Sequence, residues 1–356
     1  MSVKFIPVTW NNAKWGYDAI LLLSVVIYIW MFLMIAPAFQ DVTRPLDGAI
    51  LRMRAFGTCA FLMLSFILCI GPLARLDKRF LPLLYNRRHF GVLTCAIAFT
   101  HASYVLSWYY AFSPINPYVG LLASNTSYGQ LLGFPFEAFG IFALFILLVL
   151  AATSHDFWLS FLTPPVWKTL HMGIYVAYVA IVLHLVLGAL QAENNPLLAI
   201  MLVAGVAPIC VLHGLSARKE RTRDKAGVTT ADDGDWVIAG DAEDVPDKRA
   251  IIVALNEGER VAVFRNGDKL SAITNVCAHQ NGPLGEGKIV FGCVTCPWHG
   301  FQYNLEDGRA PAPFTEKIAT YRLKLVGSTL MLDPKAQPAG TYVEPVVSPL
   351  PDKEGA

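Results

Sequence analysis

Six long apolar runs constrain this chain more than anything else in it: Tyr17–Phe39, Ala55–Leu73, Phe90–Phe112, Phe136–Thr153, Val166–Leu190 and Pro196–Leu215. A helix that crosses a bilayer needs about 20 mainly apolar residues and bonds all its backbone polar groups internally. The runs carry almost no internal charge, a pattern that buried helices of a water-soluble protein do not repeat six times. With 54% hydrophobic and only 15% charged residues, the whole chain lies outside the soluble range. The runs therefore predict a membrane domain, an all-α six-helix bundle over residues 1–216.

Basic residues between the runs give an orientation. Lys4, Lys14, Arg75, Lys78, Arg79, Arg87, Arg88, Lys168, Arg218, Lys219, Arg221, Arg223 and Lys225 fall on one side, and Arg44, Arg52 and Arg54 on the other. Cytoplasmic loops collect Lys and Arg. The expectation is a multi-pass protein of the cell (inner) membrane with both termini in the cytoplasm and the uncharged connection Ser113–Pro135 outside. The polar start and long first run do not fit a cleavable signal peptide. A net charge of +1 and the lack of a basic stripe set nucleic-acid binding aside.

After residue 216 the composition changes. Residues 217–235 (ARKERTRDKAGVTTADDGD) read as a polar linker. From Trp236 come short β-like runs, WVIAG, AIIVAL, VAVFR, LSAIT, KIVFGCVTC, TYRLKLVG and STLMLD, separated by turns such as Asn266-Gly267-Asp268. They predict a small all-β domain over 236–335, followed by a Pro-containing polar tail, 336–356, with no assigned structure.

Of seven cysteines, Cys59, Cys69, Cys95 and Cys210 stand in apolar stretches, where a thiol behaves as a small hydrophobe. An odd count without paired spacing is no disulfide framework. Cys277, Cys293 and Cys296 lie in the β region, and two of them carry a motif: Cys277-Ala278-His279 and, after sixteen intervening residues, Cys296-Pro297-Trp298-His299-Gly300. Each half supplies a thiolate and an imidazole from a tight loop. Two imidazoles in place of two thiolates on one iron raise the potential of an iron–sulfur centre, so the pairing predicts Cys277 and Cys296 on one iron and His279 and His299 on the other. A structural zinc site also takes two Cys and two His, but the ligands of each pair usually have two to four residues between them, and Cys277 and His279 have one.

With the loops VCAHQNGPLGEG and CPWHGFQYNLEDG, this domain resembles the Rieske [2Fe–2S] ferredoxin family. High-potential members carry a further disulfide-linked Cys in each loop, where this chain has Gly282 and Trp298. Their hydrogen-bonding Ser is replaced by Phe301, while Tyr303 matches the companion Tyr. Fewer hydrogen bonds to the sulfurs imply a potential toward the low end of the Rieske range, about −150 mV. Cys293 stands outside the motif and reads as a strand residue.

Six histidines lie in or beside the apolar runs: His89, His101, His155, His171, His184 and His213. Ionisable residues at membrane depth are functional suspects by default. At 1.5 Å per residue, His101 is about 18 Å beyond His89 and His184 about 20 Å beyond His171. The third and fifth spans run in the same direction, so His101 can lie level with His184 and His89 with His171. Imidazoles from two helices at one depth can ligate haem iron axially. The segments CIGPLARL, NRRHFGVLTCAIAFTHASYVLSW, LAATSHDFW and VWKTLHMGIYVAYVAIVLHLVLG resemble the ferric reductase-like transmembrane family, which also includes the haem subunit of methionine sulfoxide reductase systems. That resemblance implies haem b at His101, His171 and His184. His89 departs from it, because two-haem members carry the first third-span His where this chain has Arg87. One haem, at His101 and His184, is the expectation, with a second at His89 and His171 left open. His155 and His213 read as interfacial.

Ferric reductases continue into flavin- and nicotinamide-binding domains. Here about 140 residues follow the last run, with no Gly-rich dinucleotide loop, and no pattern assigns a flavin. The β domain stands where the donor would be. The expected function is one-electron transfer between a soluble cytoplasmic reductase or ferredoxin, a [2Fe–2S] cluster and haem b, toward a membrane or external acceptor. A Rieske oxygenase would need a mononuclear iron bound by two His and a carboxylate, and no His follows His299. A redox sensor or membrane anchor for a partner enzyme is the rival reading.

Overall fold

A computed structural model describes the chain except residues 1–11, 40–44, 85–86, 113, 124, 155–157, 159–161, 163, 193–195, 226–235, 256–258, 279–281, 298–299, 313 and 349–356. The chain divides into a helical unit and a second unit that holds the β domain.

In order, the long helices are α1 (Asn12–Ile35), α2 (Pro45–Leu76), α3 (Arg87–Phe112), α4 (Glu137–Ala152), α5 (Pro164–Leu187) and α6 (Leu197–Lys225). Five of them, all but α4, are long and apolar enough to cross a membrane. At 16 residues, α4 spans about 24 Å, short of a hydrocarbon core of about 30 Å. The expected count of six is thus five full-length helices and a shorter apolar one. Thr153 ends α4, its hydroxyl donating to the Val149 carbonyl at 2.8 Å.

The central helix is α2, where 61% of the apolar stretch is buried against 6% in α1 and in α6. Phe61, Leu64 and Leu68 of α2 pack with Cys95 of α3, Leu147 of α4, Tyr178 of α5 and Ile209 of α6. Ser65 and Tyr178 share a hydrogen bond of 2.9 Å inside this core. In a bilayer such side-chain bonds and close packing hold helices together, because lipid is as apolar as the side chains. Cys59, Cys69 and Cys95 are buried and free, as expected of small hydrophobes.

Two boundaries differ from the sequence expectation. Residues 217–225 are not linker but the continuation of α6. Arg, Lys and Glu are good helix formers, so loss of apolarity ends a membrane run without ending the helix. The rest of the expected linker, 226–235, lies outside the described residues. The tail is the second case, since Val346–Val347 forms a strand of the β domain.

That domain has strands β1 (Val237–Asp241), β2 (Ala250–Ala254), β3 (Arg260–Asn266), β4 (Lys269–Thr274), β5 (Lys288–Val290), β6 (Cys293–Thr295), β7 (Gln302–Asn304), β8 (Thr320–Tyr321), β9 (Leu323–Val326), β10 (Thr329–Leu332) and β11 (Val346–Val347). They form one sheet of order β1-β10-β9, a second of order β11-β4-β3-β2 with β8 also paired to β4, and a third of order β5-β6-β7. The tail is drawn in by Arg265, which is fully buried. Its guanidinium donates to the carbonyls of Ala242 at 2.6 Å, Ser348 at 2.7 Å and Val245 at 3.0 Å.

Candidate redox centres

The third sheet builds the cysteine loops. Phe291 and Gly292 join β5 to β6 with φ of 51° and 80°, the positive pair that a tight two-residue hairpin needs. β6 runs directly into Cys296, and β7 returns with Gln302 opposite Thr295. Between them the Cys296 N–H donates to the Phe301 carbonyl at 2.8 Å and the Gly300 N–H to the Cys296 carbonyl at 2.9 Å. Gly300 has φ of 72°, which glycine adopts without strain. The first loop closes in the same way, with the Cys277 N–H donating to the Gly282 carbonyl at 2.9 Å. Each cysteine therefore stands at the base of a short loop pinned by backbone pairing.

Cys277 and Cys296 are both buried, in one core cluster with Tyr303, Leu284 and Val294. The Tyr303 hydroxyl lies 3.4 Å from Cys277 Sγ. Neither cysteine is in a disulfide, so two free sulfurs are buried in one core with a phenol beside one of them. This donor set suits an iron–sulfur centre. His279 and His299 lie outside the described residues. The Phe301 ring packs on Tyr303 and Phe314, at 5.2 and 4.9 Å between centroids. Cys293, the third cysteine, donates its S–H to Asn304 Oδ1 at 3.3 Å. Burial and the nearby Asp307 charge push its thiol pKa up, so it stays protonated at neutral pH.

In the helical unit the ring centroids of His101 (α3) and His184 (α5) are 6.5 Å apart with planes at 82°. Two imidazoles bound to one iron have ring centres roughly 6 Å apart, since each metal–nitrogen bond is about 2 Å. His101 Nδ1 lies 2.8 Å from the Met53 carbonyl and His184 Nδ1 2.9 Å from the Phe136 carbonyl. A carbonyl only accepts, so both Nδ1 atoms carry the proton and both Nε2 atoms keep a lone pair. That tautomer leaves Nε2 as the nitrogen a metal could take, and the pair would suit a haem held between α3 and α5.

His89 and His171 have different neighbours. His89 Nδ1 is 2.7 Å from Asp18 Oδ2 of α1. His171 Nε2 is 3.2 Å from the Thr153 hydroxyl, and its ring stacks on Trp167 at 3.7 Å. His213 Nε2 lies 3.0 Å from the Tyr175 hydroxyl, and His155 lies outside the described residues. The carbonyls of Met53 and Phe136, and Asp18, escaped sequence reasoning. The carbonyls have no sequence signature, whereas a carboxylate at the start of an apolar run was a visible one.

Residues 235–322 match the Rieske [2Fe-2S] domain, and residues 56–182 match the ferric reductase like transmembrane component. The chain is 31% identical over 105 residues to the 3-phenylpropionate/cinnamic acid dioxygenase ferredoxin subunit of Shigella boydii serotype 4 (strain Sb227), covering 29% of this chain and 97% of that one. The chain belongs to the Rieske [2Fe–2S] family. It is also 41% identical over 68 residues to the anthranilate 1,2-dioxygenase ferredoxin subunit of Burkholderia cepacia, which is 18% of this chain and 62% of that relative's length. Among solved structures it is similar to the ferredoxin of carbazole 1,9a-dioxygenase from Nocardioides aromaticivorans IC177, at 22% identity and a TM-score of 0.27, over 28% of this chain and 98% of that one. A Rieske domain joined to a ferric reductase-like transmembrane domain makes this a membrane electron-transfer protein that works with redox partners.

Proposed function

We propose that the chain is a one-electron carrier. It accepts electrons at the Rieske domain from a soluble cytoplasmic reductase or ferredoxin and delivers them through the helical unit to an acceptor in or beyond the cell membrane. A [2Fe–2S] cluster and a b-type haem, when bound, would supply the one-electron couples. The observation that carries the reading is the facing imidazole pair of His101 and His184 in the same chain as a Rieske domain. Cys277, Cys296, His279 and His299 would hold the cluster, with the Tyr303 hydroxyl beside the Cys277 sulfur. His101 and His184 would hold the haem, each kept in the tautomer with Nε2 unprotonated by a backbone carbonyl. His171 and His89 are the residues for a second haem. Six crossings, with α4 as the short one, put the thirteen basic residues and both termini in the cytoplasm, as the positive-inside bias supports.

Stopped-flow mixing of the oxidised full-length protein with a reduced ferredoxin tests this. Haem reduction within the turnover time of the donor is expected. A redox sensor or anchor predicts cluster reduction while the haem stays oxidised, and that result would reject the carrier reading.

A further inference from the structure

The two facing histidines are held by one device, repeated on two helices. The carbonyl that accepts from His101 belongs to Met53, and four residues later on α2 comes Gly57. The carbonyl that accepts from His184 belongs to Phe136, and four residues later on α4 comes Gly140. Residues four apart lie one above the other on a helix face, so the side chain at the second position covers the carbonyl of the first. At both places that side chain is missing. A Cβ on Gly57 would stand 2.9 Å from His101 Nδ1 and 3.0 Å from its Cε1. A Cβ on Gly140 would stand 2.8 Å from both Nδ1 and Cε1 of His184. Carbon contacts are favourable only near about 3.5–4.0 Å. Gly91 of α3, in contrast, faces open space.

We infer that Gly57 and Gly140 are positioning residues for the two imidazoles. Each glycine opens the path by which a ring reaches the carbonyl four residues earlier, and together the two contacts set the ring planes nearly perpendicular. The inference rests on His101 and His184 being an axial haem pair. Its consequence is electronic. Crossed imidazole planes donate π density to two different iron d orbitals and leave them close in energy, which gives low-spin ferric haem a strongly axial EPR signal with one dominant, large g value. Parallel planes split those orbitals and give a rhombic signal.

The test is EPR of the oxidised, full-length protein, with pyridine-haemochrome counting, for wild type and for Gly57→Ala, Gly140→Ala, Gly91→Ala, His101→Ala and His184→Ala. The wild type should give the axial, large-g signal. Gly57→Ala and Gly140→Ala should each shift its largest g value or lose the haem, and Gly91→Ala should leave it in place. A rhombic wild-type signal, or an unchanged g value in both Gly57→Ala and Gly140→Ala, overturns the inference while the haem reading stands. Haem content unaffected by both His→Ala changes, or no haem in the wild type, overturns the haem reading and the inference with it. Should Gly57→Ala fail to accumulate, Gly140→Ala and the wild-type spectrum decide.

Discussion

Tyr303→Phe removes one oxygen atom from the cluster's surroundings and nothing else. The Tyr303 ring is fully buried in the core that holds Cys277 and Cys296, and its hydroxyl is 3.4 Å from Cys277 Sγ. Phenylalanine fills the same space, so no room is made for a water to replace the lost donor. Hydrogen bonds to charged groups are worth about 1.5–3 kcal/mol net. Only the difference between the two redox states moves the potential. The reduced cluster is more negative and takes the stronger bond, and a difference of about 1 kcal/mol corresponds to about 40 mV for one electron. The variant should therefore titrate lower than wild type by about 40 mV, with a stability loss of no more than about 1.5–3 kcal/mol for the bond that the Cys277 sulfur gives up. A potentiometric titration following the EPR signal of the reduced cluster measures it. An upward shift, or one below about 10 mV, would refute the argument that the phenol donates to this sulfur.

Arg265→Met strands the carbonyls of Val245 and Ser348 and takes one of two donors from that of Ala242, all in buried residues. The β domain should lose about 3–5 kcal/mol, seen as a lower urea midpoint of cluster bleaching. A reporter fused after Ala356 should behave as cytoplasmic, and alkaline phosphatase activity from that fusion would reverse the proposed topology.

Legibility in the sequence followed the range of the forces involved. The long apolar runs and the alternating strands were readable because burial imposes a local period, and β1 to β6 fall on runs picked out from composition. β7 was missed because Gln302-Tyr303-Asn304 is too short and polar to stand out. β11 was missed because its two residues depend on β4 and on the buried Arg265, distant in sequence. Arg265 itself ends an apolar strand and looks like a surface charge until its carbonyl partners are known. Cys277 and Cys296 stood out in the sequence because iron–sulfur ligation would fix both residue type and spacing, and the fold brings them into one buried core. The depth match of His101 and His184 was predictable from helical rise, but their ring orientation depends on Gly57, Gly140 and two backbone carbonyls, which no spacing rule reveals.

The same chemistry separates the two histidine levels. At the level of His101 and His184 both Nδ1 atoms are satisfied by carbonyls and both Nε2 atoms are available to a metal. One level lower, His89 Nδ1 meets Asp18, the carboxylate–imidazole pairing that often backs a metal ligand. His171 is the exception, because its Nε2 meets the Thr153 hydroxyl. Giving up a neutral hydrogen bond costs only about 1 kcal/mol, far less than an iron–imidazole bond returns. The obstacle to a second haem at this level is therefore steric. The His171 ring is sandwiched to Trp167, and the Trp167 indole donates to the Thr153 carbonyl at 2.9 Å, so turning His171 toward an iron means unstacking a ring that α4 itself holds in place.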